Sequence, residues 1–377
     1  MRPELLISGR TRSTPFSSRV EALGVKAYSV YNHMLLPLIF RSLEEDYRHL
    51  CQEVQIWDVA CQRQVEISGR DAQSLVQLMT PRDLSKAEPG QCFYAPLCDE
   101  TGGMVNDPIL IKHSNDHWWL SIADSDVKLW AMGLATGFGL DAQVSEPDIW
   151  PLAVQGPKAE ELVSRVFGRE IRKIGFFRSS LLDYQGTKMM VARSGWSKQG
   201  GFEIYVNDAE LGGQLWDELF TKGKDLNVGP GCPNLIERIE SGLLSFGADM
   251  GYDTTPFECG LDQYVSLDAD IESLSIDALR TRQVKTRLMG IVVDQQVKLI
   301  DNRFFNGDKE VGKITSDVWS PRYSVLLAFA RCEINNLEDA KDFHVKTTSG
   351  EIPVRITDLP FNFASLGLKG VSEKSKL

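Results

Sequence analysis

A chain of 377 residues exceeds what one small hydrophobic core organises and suits two or three packed units. Its 42% hydrophobic and 25% charged residues are the balance of a soluble globular protein, and a formal charge of -11 leaves no basic field to attract nucleic-acid phosphates. The best apolar run, residues 34–40, is interrupted by Pro37 and falls far short of the ~20 residues a membrane-spanning helix needs. The polar, arginine-bearing start of the chain shows no apolar secretory core. Seven cysteines, odd in number and without CxxC spacing, predict reduced thiols in a cytoplasm and no metal site.

In chain order, residues 44–54 carry apolar side chains at helical intervals and predict a surface helix. Residues 65–69 alternate like a strand, and 71–79 read as an amphipathic helix stopped by Thr80-Pro81. Residues 92–96 and 104–112 predict two strands joined through the turn at 99–103, with a third strand at 118–122 and a helix at 127–137. A second round follows: a strand at 153–156, a helix at 158–166, a hairpin of 180–183 with 188–192, a strand at 203–206, and helices at 211–222 and 234–246. From about residue 284 short strands recur (287–293, 304–308, 312–316, 325–331, 342–347 and 351–356), as in a small barrel, and residues 370–377 predict a frayed tail. The order predicts an α+β fold of two antiparallel α+β layers and a barrel, not a parallel nucleotide-binding sheet.

Several groups carry candidate chemistry. Ser194-Gly195-Trp196-Ser197-Lys198-Gln199-Gly200-Gly201-Phe202-Glu203-Ile204-Tyr205 gathers an indole, an ammonium, a carboxylate and a phenol around a glycine-rich bend between strands. Glu203 and Tyr205 share one strand face. An outward glutamate is the plain reading; a carboxylate accepting paired N–H donors is the functional one. Asp107 stands before Pro108 inside an apolar strand, either as a hairpin cap or as a partly buried acid beside a ligand. Glu237-Arg238-Ile239-Glu240 fits a solvated salt-bridge set on a helix, and His113 and His117 flank a turn in what reads as a loop. No GxSxG elbow, Walker loop or complete dinucleotide fingerprint occurs.

Nearly end to end, the chain resembles the glycine cleavage T-protein (aminomethyltransferase) family of folate-binding proteins. Asp58-Val59-Ala60, Ile67-Ser68-Gly69-Arg70-Asp71-Ala72, Leu78-Met79-Thr80-Pro81, Gln155-Gly156-Pro157-Lys158-Ala159, Arg238-Ile239-Glu240-Ser241-Gly242 and Phe257-Glu258-Cys259-Gly260-Leu261 carry the likeness, as does Gly102-Gly103 through Asp107. The resemblance implies a three-domain fold around a central folate channel. Its divisions are 1–55 with 140–245 (folate-binding), 56–139 with 246–280, and a C-terminal barrel at 281–365, followed by a flexible tail at 366–377. It also implies Asp107 as the essential acid, and Glu203, Arg238, Phe176, Phe177 and Trp196 as folate contacts.

Three departures stand out: Asn106 replaces the first acid of an Asp-Asp pair, Ser197-Lys198-Gln199-Gly200 replaces Thr-Gly-Glu-Asp, and Ala123 replaces asparagine. These are similar to the branch of the family that demethylates dimethylsulfoniopropionate, as are Ser13 to Val20 and Tyr31 to Pro37. That branch implies methyl transfer from a sulfonium to N5 of tetrahydrofolate, with no metal and no nucleic-acid or membrane partner; a homodimer is left open. Trp196, Tyr205 and Phe16 are the candidates to face the sulfonium, and Arg19, Lys198, Tyr31 and Ser245 to bind the substrate carboxylate. The alternatives are an aminomethyltransferase and a noncatalytic folate-binding protein.

Overall fold

Hydrophobic alternation and turn residues divide the chain into short elements, which the computed structural model describes for residues 7–337 and 342–370. The predicted tail beyond Gly370 lies outside the described residues. The first elements are α1 (Ser17–Ala22), β1 (Ala27–Tyr31), β2 (Met34–Ile39), α2 (Leu43–Gln52), β3 (Val54–Asp58), β4 (Gln64–Ser68) and α3 (Ala72–Met79). Strands β5 (Cys92–Tyr94), β6 (Leu97–Cys98), β7 (Met104–Asn106), β8 (Ile109–Ser114) and β9 (His117–Ser121) lead to α4 (Val127–Gly137) and β10 (Gln143–Ser145). The second round is β11 (Trp150–Gln155), α5 (Ala159–Phe167), β12 (Ser179–Tyr184), β13 (Thr187–Ala192), β14 (Gly201–Val206), α6 (Ala209–Lys222), β15 (Val228–Gly231) and α7 (Leu235–Ser241). After α8 (Ile276–Thr281) come β16 (Thr286–Val293), β17 (Leu299–Asn306), β18 (Lys309–Ser320), β19 (Val325–Glu333), β20 (Phe343–Thr347), β21 (Gly350–Pro353) and β22 (Arg355–Thr357).

The chain packs as two units. One is built from the chain up to Met79, Asp83–Ala95 and Asn106–Asn234. The other is built from Thr80–Arg82, Pro96–Val105 and the chain from Leu235 on.

The first unit holds two sheets, ordered β12-β13-β14-β11-β3-β15 and β10-β4-β9-β8-β5, plus the β1-β2 hairpin. All their pairings are antiparallel except β15 with β3. On one face of the six-stranded sheet Ile56, Val154, Phe202 and Ile204 join Leu162 of α5 and Leu215 and Trp216 of α6 in the main core. On its other face Met190, Ala192 and Tyr205 meet Cys92 and Ile111 of the five-stranded sheet. β14 is therefore covered on both sides, and Glu203 and Tyr205 lie in the layer between the sheets.

The expected hairpin of 92–96 with 104–112, turned at 99–103, is present but interrupted. Pro96 and Pro108 lack ladder donors, so each expected strand breaks; β5 pairs with β8, and β6 with β7. His113 and His117 are also corrected: they sit in β8 and β9, not in a loop, with rings stacked at 4.3 Å. The β1-β2 hairpin, turned by Asn32 and His33 at φ 48° and 62°, strands β3, β10 and β15, and helices α1 and α8 go beyond the sequence reading.

In the second unit seven strands, ordered β21-β20-β17-β18-β19-β16-β22, wrap one core of Ile291, Phe304, Ile314, Ala328 and Val345. Helix α7 ends five residues before the expected boundary at 246, because Gly242 turns left-handed (φ 69°) where a Cβ would come 2.6 Å from Pro360. Its charged residues are not a solvated set: Glu237, Arg238 and Glu240 are all buried and bond to Ser241, Asp249 and Ser320 in turn.

Candidate active site

Asp107 follows β7 and precedes Pro108, so its backbone leaves the ladder and its half-buried side chain is free to serve a site. It is not the hairpin cap; Asp99 does that, accepting the Thr101 and Gly103 amides at 2.9 and 3.0 Å. The Tyr94 hydroxyl donates to Asp107 Oδ2 at 3.1 Å. Burial pushes the Asp107 carboxyl up to about 7, and the Tyr94 bond pulls the other way. Beside it, the Tyr31 phenol oxygen takes a hydrogen bond from the Asp124 backbone; burial, then the neighbouring Asp107, holds that phenol well above its ordinary range. Asn106, fully buried, donates from Nδ2 to Ala123 O at 3.1 Å and Ser125 Oγ at 2.9 Å, and its Oδ1 accepts the Ala123 N–H at 3.0 Å.

The bend before β14 is latched by Gln155. Its Nε2 donates to Ser194 O at 3.2 Å, and its Oε1 accepts from Ser197 Oγ at 2.8 Å. Gly195 and Gly201 have φ of 146° and 152°, and a Cβ on either would collide with Gln155, so both positions require glycine. Glu203 is 6% exposed, not outward as the plain reading has it. The Ser194 hydroxyl donates to it, and burial raises its carboxyl above the ordinary range. Tyr205 is fully buried, its ring 6.0 Å from Trp119 and its hydroxyl bonded to Ser121. Trp196 is half-buried in the bend, with Lys198 exposed beyond it. Phe176 is exposed and packs at 4.7 Å on Phe177, whose carbonyl accepts the Cys92 N–H and so ties the two sheets.

Two expected site residues fall elsewhere in the first unit. Phe16 is wholly buried against Trp216, with centroids 5.6 Å apart, on the helix-covered side of the six-stranded sheet. Arg19 forms a bidentate pair with Asp217 of α6 at 2.9 and 2.7 Å. Phe16 is thus engaged in core packing and Arg19 in an ion pair on that side of the sheet. Arg238 and Ser245 belong to the second unit. There the Arg238 guanidinium bonds Asp249 at 2.5 Å, Ser316 at 2.6 Å and Leu243 O at 3.2 Å, over the Phe329 ring, and the Ser245 N–H bonds the same Asp249.

The sequence reading missed Tyr94 and Ser194 as partners of the two acids. Ser194 stood inside the quoted signature, and its spacing gave no signal; Tyr94 meets Asp107 only through the pairing of β5 with β8. Among the described residues no group of three or more His, Cys, Asp and Glu is placed to hold a metal ion, and no helix is long and apolar enough to cross a membrane.

The antiparallel α+β layers and the separate seven-stranded β unit define a T-protein-like class of fold. The chain matches the family model for the GCVT N-terminal domain over residues 16–269 and that for the glycine cleavage T-protein C-terminal barrel domain over 286–362. It belongs to the glycine cleavage T-protein family. Among its relatives, dimethylsulfoniopropionate demethylase DmdA of Ruegeria pomeroyi is 46% identical over 354 residues, 93% of this chain and 97% of that protein. An aminomethyltransferase of Clostridium botulinum is 26% identical over 362 residues, 92% and 96% of the two chains. The solved glycine cleavage aminomethyltransferase T of Bartonella henselae shares the fold, with a TM-score of 0.82 at 20% identity and coverage of 93% and 97%.

Proposed function

We propose that the chain is a tetrahydrofolate-dependent methyltransferase that demethylates dimethylsulfoniopropionate, giving 3-(methylthio)propanoate and 5-methyltetrahydrofolate. The observation that carries this reading is the 46% identity to the Ruegeria demethylase across 93% of the chain, against 26% to the aminomethyltransferase. The three departures at Ala123, Asn106 and Ser197 to Gly200 point the same way.

A sulfonium methyl is already activated, because its leaving group is a neutral thioether; the reading calls for no metal and no covalent nucleophile. Tetrahydrofolate supplies the nucleophilic N5 that takes the methyl as the carbon–sulfur bond breaks. The protein's task is to hold the two reactants in line at near-attack distance. In this proposal Glu203 accepts the paired N–H groups of the pterin, since a desolvated carboxylate with few donors gains most from them. Asp107, held by Tyr94, accepts the proton that N5 sheds. Phe176 and Phe177 offer ring faces to the folate. Trp196 presents its indole to the sulfonium, a contact worth about 0.5–2 kcal/mol. The Tyr31 hydroxyl donates to the substrate carboxylate, with Lys198 able to add charge from the bend.

Proton NMR of the purified protein with dimethylsulfoniopropionate, with and without tetrahydrofolate, tests the reading. The expected result is folate-dependent 3-(methylthio)propanoate with one methyl on N5. Folate binding by calorimetry without turnover would reject the substrate and leave a folate-binding role.

A further inference from the structure

We infer that Asn106 is a positioning residue for substrate recognition: its side-chain amide holds the 123–125 turn, and the turn holds the Tyr31 hydroxyl beside Asp107. The inference rests on the proposed demethylase reading for its kinetic consequence but not for its geometry.

The Asn106 side chain makes three hydrogen bonds, all to Ala123 and Ser125, the two residues that flank Asp124. Asp124 in turn binds the hairpin tip twice. Its backbone bonds the Tyr31 phenol oxygen, and its Oδ1 accepts the Asn32 N–H at 2.7 Å. Ala123 O is shared, taking the Asn106 amide at 3.1 Å and the Asn32 amide at 3.3 Å, while Asn32 also reaches Cys61 O at 2.9 Å. Both turn residues after Tyr31 are left-handed, which defines the backbone shape of the tip that the 123–125 turn grips.

An amide meets every demand at position 106. The site needs a donor toward Ala123 O and an acceptor toward the Ala123 N–H, with the Ser125 hydroxyl able to take either role, on a side chain with no exposure. An ionised carboxylate there has acceptors alone and would set an oxygen against the Ala123 carbonyl. A protonated carboxyl restores one donor and the acceptor. Asn106→Asp therefore acts as a clamp that opens when it ionises. The charged and titratable groups around it are Asp107 on its own segment, Asp124 from the turn, Tyr31 and Cys61 on the hairpin side, and Tyr94 from β5.

The test compares wild type, Asn106→Asp, Tyr31→Phe and the double variant at pH 8 and pH 5.5. At pH 8, N106D should raise KM for dimethylsulfoniopropionate about tenfold or more, the scale of a lost buried hydrogen bond. Tetrahydrofolate affinity by calorimetry should stay within about twofold. Y31F should raise KM similarly, and the double variant should be no worse than either single. The N106D-to-wild-type ratio should return toward one at pH 5.5. A pH-independent loss that tracks thermal stability or folate affinity would reduce Asn106 to a structural residue, and an unchanged KM in Y31F would break the link it acts through. Amide hydrogen exchange of residues 123–125, corrected for intrinsic pH dependence, reads the clamp without any substrate. Protection lost in N106D at pH 8 and regained at pH 5.5 supports it, and unchanged protection overturns it. A wild type that does not turn over the sulfonium sinks the functional reading alone.

Discussion

Asp107 in the first unit and Asp249 in the second are both shielded carboxylates, built to opposite ends. Asp249 has no exposure, and its oxygens accept from Arg238, Ser316, Thr315 and the Ser245 N–H, at 2.5, 2.6, 2.7 and 3.0 Å. Every lone pair there is in use, so the group rivets α7, the 243–249 segment and β18 and has nothing left for a ligand. Asp107 takes one side-chain donor, Tyr94, and is left with its carboxyl raised to about 7. Burying an acid that is poorly satisfied costs stability, and folds keep such groups where a ligand completes them. The number of donors on a buried acid, more than its burial, separates a binding site from a structural joint.

The sharpest way to break that contrast is Asp107→Asn. If this acid takes the N5 proton, turnover should fall about 10²- to 10⁴-fold, read by the same NMR assay. The fold should not suffer. A carboxyl whose folded pKa lies above its ordinary 3.8 holds its proton more firmly when folded, so stability from protonation is present below pH 4 and lost as pH rises through about 7. Urea unfolding of D107N should therefore match wild type at pH 4 and exceed it at pH 8. A variant that loses stability at pH 8 would place Asp107 with Asp249.

Arg238→Met is the converse. It leaves Asp249 buried without its counter-ion and should cost about 3–5 kcal/mol by urea unfolding. The folded fraction should still bind tetrahydrofolate; if affinity falls while stability holds, Arg238 touches folate as the family resemblance implies. Glu203→Gln should behave like Asp107→Asn on a smaller scale. Loss of a charge-assisted bond should weaken tetrahydrofolate about tenfold or more in calorimetry, and the fold, relieved of a desolvated charge, should not lose stability. Unchanged affinity would remove Glu203 from the pterin site.

Helices α3 and α4 and strand β18 bury one side and show it as apolar periodicity, while β16 and β19 are legible as continuous apolar runs; the expected positions of all five differ from the observed ones only at the ends. β3 is buried at all five positions, Val54 to Asp58, so it shows no alternation, and Pro37 and Pro230 disguise β2 and β15 as turns. The same masking hid the setting of Glu203: a strand covered on both faces gives no sign of which side holds a ligand. Asp107 and Glu203 entered through a family signature, not through periodicity. Their donors could not, because Tyr94 and Ser194 reach them across strand pairings and a bend that spacing does not encode. Charge misled in α7, where three ionisable side chains that look solvated are buried and paired.

Arg19→Ala is the smallest expected effect. The sequence offered Arg19, with Lys198, Tyr31 and Ser245, as a donor to the substrate carboxylate; it lies in a block shared with the demethylating branch, twelve residues before Tyr31. Its guanidinium is instead spent on Asp217, a residue 61% exposed, on the helix-covered side of the sheet. An ion pair so open to water contributes under about 1 kcal/mol and weakens further with salt. R19A should therefore leave KM for dimethylsulfoniopropionate unchanged and shift the urea midpoint barely beyond error. Set against Tyr31→Phe, which should raise KM, it asks whether a neutral phenol held by the 123–125 turn does the work expected of a cation. A raised KM in R19A with KM unaffected in Y31F would reverse the assignment and return substrate recognition to the arginine.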